Sequence, residues 1–296
     1  DSDADGAADC EDICPGVTDG PNLLDEFGGL EDGELLAPVG VAVDGTGRIL
    51  VADRDRNRIE VFDASGAPLF HIGSPGTGPD QFDWPTTVAI GTANRIFAAD
   101  LNNNRIQVFD SGGVFQFECG GWFRRADVVV DTAGRILVAD SNTDSVLVFD
   151  SGGTFQSSFR GYGSQPGQFS GISGLAVDST GRIIASDSYN ARIQVFDSSG
   201  GFLFEFGTSG IANGQFQNPR GVAQDGTGRI LVADTDNNRI QALDAAGQFL
   251  SVVGGFGTGN GLFYQPQRVC TDSANRIIVA DYGNARIEVF DSSGVF

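Results

Sequence analysis

Five acidic side chains open the chain at alternating or near-alternating positions: Asp1, Asp3, Asp5, Asp9 and Asp12, with Gly6 among them. Carboxylates spaced in this way can turn inward onto one hard cation, and calcium gathers several oxygens of this kind. Gly6 permits the sharp turn that such a loop needs, and the main-chain carbonyl of Ala7 supplies a further oxygen. Asp12 stands where a longer Glu would close the shell with two oxygens. The predicted ligands are therefore Asp1, Asp3, Asp5, Ala7, Asp9 and Asp12, and the predicted cofactor is Ca2+. Cys10 and Cys14 lie close enough to form a disulfide in an oxidising compartment, with the pairing left open. Sites of this class in extracellular modules bind in the range of about 0.1–1 mM, so the loop would be filled outside a cell and empty inside it.

Elsewhere the residues that could do covalent chemistry are sparse. His71 is the one histidine, and no Ser-His-Asp or Cys-His set can be assembled around it. The Gly-rich stretch Gly73–Gly78 precedes no helix, and the chain has no Lys to reach a phosphate. Cys119 and Cys270 fall in apolar strands and read as buried small hydrophobes. Of 57 charged residues 39 are acids and 18 are Arg, for a net charge of −21. That field repels phosphate backbones and anionic lipid, which excludes nucleic acid and membrane surface as expected partners. No apolar run approaches the ~20 residues that cross a bilayer, so membrane insertion is not expected. The chain lacks Met and a charged-then-apolar leader pattern, which leads to the expectation of a trimmed product.

What must position any site is a repeat. The aspartates Asp53, Asp100, Asp140, Asp187, Asp234 and Asp281 recur at spacings of 47, 40, 47, 47 and 47 residues, each within the same phrase. An apolar strand leads to a Gly-Arg turn, a Val-Ala-Asp strand, an Arg-Ile strand, Phe-Asp and a Gly-rich connector. Short β-rich runs parted by Gly, Asn and Asp are strand and hairpin signals, and no 3.6-residue period suggests helices. Four antiparallel strands every 40–47 residues make a propeller blade, and six repeats make six blades. The predicted fold is all-β, with an acidic segment at 1–22 and the propeller over 23–296. The sixth unit stops at Phe296 before its fourth strand, and Leu23–Gly28 supplies the missing sequence. Self-closure of the ring by this strand is the favoured reading. Donation of the strand to a neighbouring molecule is the alternative.

The phrase Val51-Ala52-Asp53, Asn57-Arg58-Ile59, Val61-Phe62-Asp63 resembles the NHL repeat family, whose members form six-bladed propellers. Unit three departs, with Ser145-Val146 replacing the Arg-Ile core and a connector seven residues shorter at Gly120–Phe123. Some propellers of that family bind RNA through a basic face, against which the net charge argues. Others are lyases that hold a metal with several histidines, against which the single His71 argues. The N-terminal segment, followed by Cys14-Pro15, resembles an EF-hand loop set in one thrombospondin type 3 calcium repeat.

The in-phase charges read as structural. Asp53 and its equivalents with Arg58, Arg105, Arg192, Arg239 and Arg286 are expected to form bidentate Asp–Arg contacts. Asp44, Asp131, Asp178, Asp225 and Asp272 read as turn residues rather than a metal ring, because Gly91 breaks the series. Function is expected where the copies differ. Just before each inner strand stand Val39, Thr86, Ala126, Ser173, Arg220 and Gln267, followed by Gly40, Thr87, Asp127, Gly174, Gly221 and Arg268. These face the channel mouth, with Trp84 on the rim and Tyr162 and Tyr264 in neighbouring connectors. Trp122, aligned with Phe82 and Phe216, reads as core. The predicted ligand-binding residues are Trp84, Thr87, Asp127, Ser173, Arg220, Gln267 and Arg268, gripping a protein or polysaccharide by stacking and hydrogen bonds. The expected role is a non-enzymatic, extracellular interaction module. A structural subunit that assembles into an oligomer or fibre is the second reading, and a calcium-assisted hydrolase or lyase the third.

Overall fold

The computed structural model describes residues 26–28, 35–120 and 127–296. The expected calcium loop, Cys10, Cys14, Trp122 and Ala126 lie outside these residues. Blade 1 consists of Pro38–Val43, Ile49–Asp53, Arg58–Phe62 and Pro68–Ile72, antiparallel and adjacent in chain order. Blades 2 to 5 repeat this over 85–120, 127–159, 172–206 and 219–253. Blade 6 takes three strands from 266–290 and its outer strand from Glu26–Phe27. Glu26 stands opposite Glu288 and Phe27 opposite Ile287, the register expected from the truncated last unit. The Phe27 ring lies 4.7 Å from that of Phe62 in blade 1. The ring therefore closes within one chain.

The second strand of every blade is buried along its whole length without alternation, and is apolar up to its closing Asp except at Ser186. A strand covered on both faces needs apolar residues on both. Leu50 and Ala52 pack towards Val88 and Ile96 of blade 2, whereas Ile49 and Val51 pack towards Ile278 and Ala280 of blade 6. Six such clusters fill the six seams between blades. The outer strands of blades 2, 4 and 5 meet water on one face and alternate accordingly, with Leu203 and Glu205 exposed between half-buried Phe202, Phe204 and Phe206, whereas those of blades 1 and 3 are exposed along most of their length.

The anchor aspartates stitch each blade to the connector before it. One oxygen of Asp187 accepts the Ser170 N–H at 2.7 Å; the other accepts Arg192 Nε at 2.8 Å and Gln194 Nε2 at 3.1 Å. The remaining Arg192 nitrogens bond Glu205 at 2.9 Å and the carbonyls of Gln165 and Gln168. Asp100, Asp234 and Asp281 repeat the pattern with Arg105, Arg239 and Arg286. The expected Asp–Arg contact thus forms between the second and third strands of blades 2, 4, 5 and 6, whereas in blade 1 Arg58 turns to Glu60 and Arg56 stands 3.8 Å from Asp53. The contact is not bidentate: one guanidinium nitrogen meets the aspartate, a second fastens the connector carbonyls and, in blades 2 and 4, the third meets a Glu of the outer strand. In blade 3 Thr143 donates to Asp140 at 2.7 Å and bonds Ser145, which stands where the other blades place Arg. Burial pushes the carboxyls of Asp53, Asp100, Asp187 and Asp281 above their usual range, against the pull of these donors.

The second set of aspartates does turn chemistry. Asp44 accepts the Thr46 N–H and hydroxyl and the Arg48 N–H on one oxygen, and Arg48 Nε at 2.7 Å on the other. At Asp44, Asp178 and Asp225 burial raises the pKa, but the Thr hydroxyl, Arg and main-chain donors together outweigh it and leave the carboxyls below their usual value.

Candidate functional site

The inner strands begin at one end of the ring and pack against one another around the axis. Two layers of side chains result. In the deeper layer, Gly40 lies against the main chain of Thr87 and Gly221 against that of Arg268, where an added Cβ would come within 2.7 Å. Glycine at these places lets neighbouring inner strands approach closely. The space on the axis is left to the non-glycine members, Thr87, Asp127 and Arg268, all buried. Asp127 in blade 3 and Arg268 in blade 6 form an ion pair across the axis, and the same Asp127 oxygen accepts the Leu175 N–H at 2.6 Å. The pair crosses the axis beneath the mouth.

Above this floor opens a cavity of ≈ 710 Å3, within the ~300–1,000 Å3 typical of small-ligand sites. Val39, Thr86, Ser173, Arg220 and Gln267 form its upper layer, and Thr87 and Arg268 contribute from the floor. Six of the seven predicted binding residues therefore line one space. Asp127 is the exception: at 2 % exposure it sits below the cavity and acts through Arg268. Tyr162 reaches the cavity, whereas Tyr264 packs edge-on against Phe256 at 5.9 Å. His71 lies exposed on the outer strand of blade 1, away from the mouth.

Sequence reasoning missed the residue that follows each anchor aspartate. Arg54, Leu101, Ser141, Ser188 and Tyr282 all occupy this place and all line the cavity, while the sixth, Thr235, is buried and donates to the Pro266 carbonyl at 2.8 Å. The position differs among most copies, with Ser in both blades 3 and 4, but so does the residue after it, so variation alone does not single it out. Arg54 is held between two rings, with its guanidinium 4.9 Å from Trp84 and 5.1 Å from Tyr282. It bonds the Tyr282 hydroxyl at 3.0 Å and Asp55 at 2.8 Å. Arg–aromatic stacking of this kind contributes about 0.5–2 kcal/mol per face.

Trp84 has a φ of +61°, in the left-handed region. Blades 4, 5 and 6 carry Gly171, Asn218 and Gln265 at this place, also with positive φ. Gly and Asn enter that region cheaply, whereas a bulky L-residue loses about 1–2 kcal/mol. The Trp84 N–H is held by Asn57 Oδ1 at 2.7 Å, as the Gln265 N–H is by Asn238 at 2.8 Å. The turn geometry is therefore imposed by the repeat, and the indole, 44 % exposed, is carried on it at a cost. Across the mouth stand the exposed Tyr162 and Tyr189 and a bonded set of hydroxyls, Ser173 with Ser188 at 2.5 Å and Ser186 on the Arg220 carbonyl at 2.5 Å. Gln267 Oε1 accepts from Arg220 at 2.7 Å.

Three arginines and one carboxylate, Asp144, line the cavity of a chain with twice as many acids as bases. Asp144 is committed to the N–H groups of Gly171 and Ile172. Burial pushes the thiols of Cys119 and Cys270 up to about 12, and neither lines the mouth. Among the described residues no group of three or more His, Cys, Asp and Glu is placed to hold a metal. The arrangement offers stacking faces, hydroxyl and amide donors and acceptors, and guanidinium donors.

NHL repeats match residues 35–62, 82–109, 216–243 and 263–290, which fall in blades 1, 2, 5 and 6. A family described as a 6-bladed beta-propeller matches 123–206, blades 3 and 4. A stretch of 47 residues is 49 % identical to Protein lin-41 of Caenorhabditis elegans, covering 16 % of this chain and 4 % of that protein. Among solved structures, a catalytically inactive virginiamycin B lyase from Staphylococcus aureus with quinupristin superposes at a TM-score of 0.62 with 14 % identity, over 90 % of this chain and 88 % of that one. An auxiliary nutrient binding protein from Bacteroides thetaiotaomicron superposes at 0.67 with 13 % identity, over 86 % and 69 %. The WD40 propeller domain of Doa1 gives 0.62 with 15 % identity, over 87 % and 80 %. At these identities the likeness is one of fold.

Proposed function

We propose that this six-bladed propeller, carrying NHL repeats, is a non-enzymatic interaction module that holds a protein or glycan ligand at its channel mouth. The observation that carries the reading is Trp84: a bulky aromatic kept at positive φ, stacked on the Arg54–Tyr282 pair in the wall of an open cavity. Stacking on Arg54 offsets part of the backbone cost, but the indole stays 44 % exposed, and local strain of this kind collects where a ligand is gripped. With the Asp127–Arg268 pair across the axis below it, the mouth is a cup on a ring of six blades, a place where diverging residues can evolve a surface without disturbing the blades.

In the same reading the segment 1–22 binds Ca2+ through Asp1, Asp3, Asp5, Ala7, Asp9 and Asp12, and the protein works outside the cell, where calcium fills such loops. The pairing of Glu26–Phe27 with its own blade 6 supports a self-closed ring over assembly through that strand. A panel of immobilised glycans and peptides, probed with the wild type and with Trp84→Ala, tests the reading. Binding that falls at least tenfold in Trp84→Ala is expected; a ligand captured equally well by both proteins would move the site elsewhere on the propeller.

A further inference from the structure

Resting on the channel-mouth reading, the lining points to one ligand chemistry, and we propose that the cup takes an acidic saccharide, a sugar chain bearing a uronate carboxylate. Four features of the cup converge on it. The first is charge. The chain carries 39 acids and 18 arginines, yet the cavity wall shows Arg54, Arg220 and Arg268 against Asp144 alone. Arg268 is ion-paired with Asp127 and Arg54 with Asp55 at 2.8 Å. Arg220 instead meets the neutral Gln267 at 2.7 Å and Asp144 is turned onto two main-chain N–H groups, so Arg220 is the guanidinium that the upper layer of the cup offers to a carboxylate. Planar guanidinium donors match a carboxylate.

The second feature is the partly exposed indole of Trp84 on one side, with Tyr189 and Tyr162 across the mouth. Flat apolar faces that stand in water suit the C–H face of a pyranose ring. The third is the crown of hydroxyls and amides, Ser173, Ser188, Asn218, Gln265 and Gln267, each able to donate or accept as sugar hydroxyls do. The fourth is what the wall lacks. Ile172 is fully buried, so Val39 and Leu101 are the aliphatic groups left to receive an apolar side chain, which disfavours a peptide anchor. A polyanion would meet the overall −21 field at long range, whereas one isolated carboxylate meets the local donors within a Debye length of about 8 Å.

Titration calorimetry of the full chain with a galacto-oligosaccharide that ends in a single galacturonate, with the same oligosaccharide lacking that carboxylate and with a peptide carrying one carboxylate tests this directly. Binding of the uronate is expected, weakening as NaCl rises and falling about ten- to hundredfold in Arg220→Gln. Trp84→Ala should weaken uronate and neutral sugar alike, because stacking does not read charge. A neutral oligosaccharide bound as well as the uronate, or the peptide bound in its place, overturns the charge assignment and leaves the mouth a binding site. Silence of all three probes overturns the saccharide assignment; the wider glycan and peptide panel then decides separately whether the mouth binds anything. Circular dichroism on both variants reports whether they fold.

Discussion

A carboxylate and a guanidinium taken out of water cost more than their attraction returns unless further donors complete the shell. Asp127 meets that condition with Arg268 on one side and the N–H groups of Leu175 and Val128 on the other. Arg268 without Asp127 would be a buried, uncompensated charge at the floor of the cup. Asp127→Ala is therefore expected to destabilise the fold by about 3–5 kcal/mol, measured by urea unfolding. The joint replacement Asp127→Leu with Arg268→Met should recover most of the loss, because a well-packed apolar pair needs no partner charge. A double variant as unstable as the single one would show that the axis depends on the charges themselves. This pair was legible in principle. Both residues were singled out because they break the repeat at the same phase, and in a ring of six, units three and six stand opposite each other. The blade count alone brings two side chains 141 residues apart to one axis. The residues after the anchor aspartates went unread for a different reason: they follow a buried strand directly, and only the three-dimensional turn shows that they bend back over the mouth.

At the scale of elements, the second strands were readable because burial on both faces leaves a continuous apolar run with no competing period. Where the outer strand of blade 6 comes from was readable because the last unit lacks it. The same strand is the joint of the ring, since among the described residues blade 6 is completed by the pairing of Glu26 and Phe27 with the strand Arg286–Phe290. Phe27 fills the seam to blade 1 against Phe62, at the place where an added Cβ on Gly66 would come within 2.6 Å of its ring. Phe27→Ala should cost about 2–3 kcal/mol, below the value for a fully buried Phe because the side chain is half exposed. A chain beginning at Leu35 exposes the edge of Arg286–Phe290, and unpaired edges recruit other edges. It is expected to melt lower than the full chain and to associate with rising concentration in sedimentation. A monomer of unchanged melting temperature would show that the strand closes nothing.

For the whole molecule, the two families of aspartate pull stability in opposite directions with pH, and the net charge decides between them. Asp53, Asp100, Asp187 and Asp281 have folded pKa values raised by burial, so on acidification the folded chain takes their protons before the unfolded chain does. Their contribution is fully present below the unfolded value near 3.8 and is lost as pH rises through the folded values. Asp44, Asp178 and Asp225 are lowered, so their contribution is present above 3.8 and is lost as pH falls through the folded values. Self-repulsion at −21 adds to the first trend, since acidification towards the pI of about 4.1 discharges the surface. The melting temperature should therefore peak on the acid side of neutrality and drop steeply below about pH 3.8, where the turn aspartates release their Thr and Arg partners. Sodium chloride gives an independent reading of the same balance. Raising it from 10 to 150 mM shortens the screening length from about 30 to about 8 Å. At pH 7.5 that should raise the melting temperature by several degrees, and near the pI it should do almost nothing. A fall in melting temperature with salt at pH 7.5 would mean that the Asp–Arg stitching between strands and connectors outweighs the repulsion it is set in.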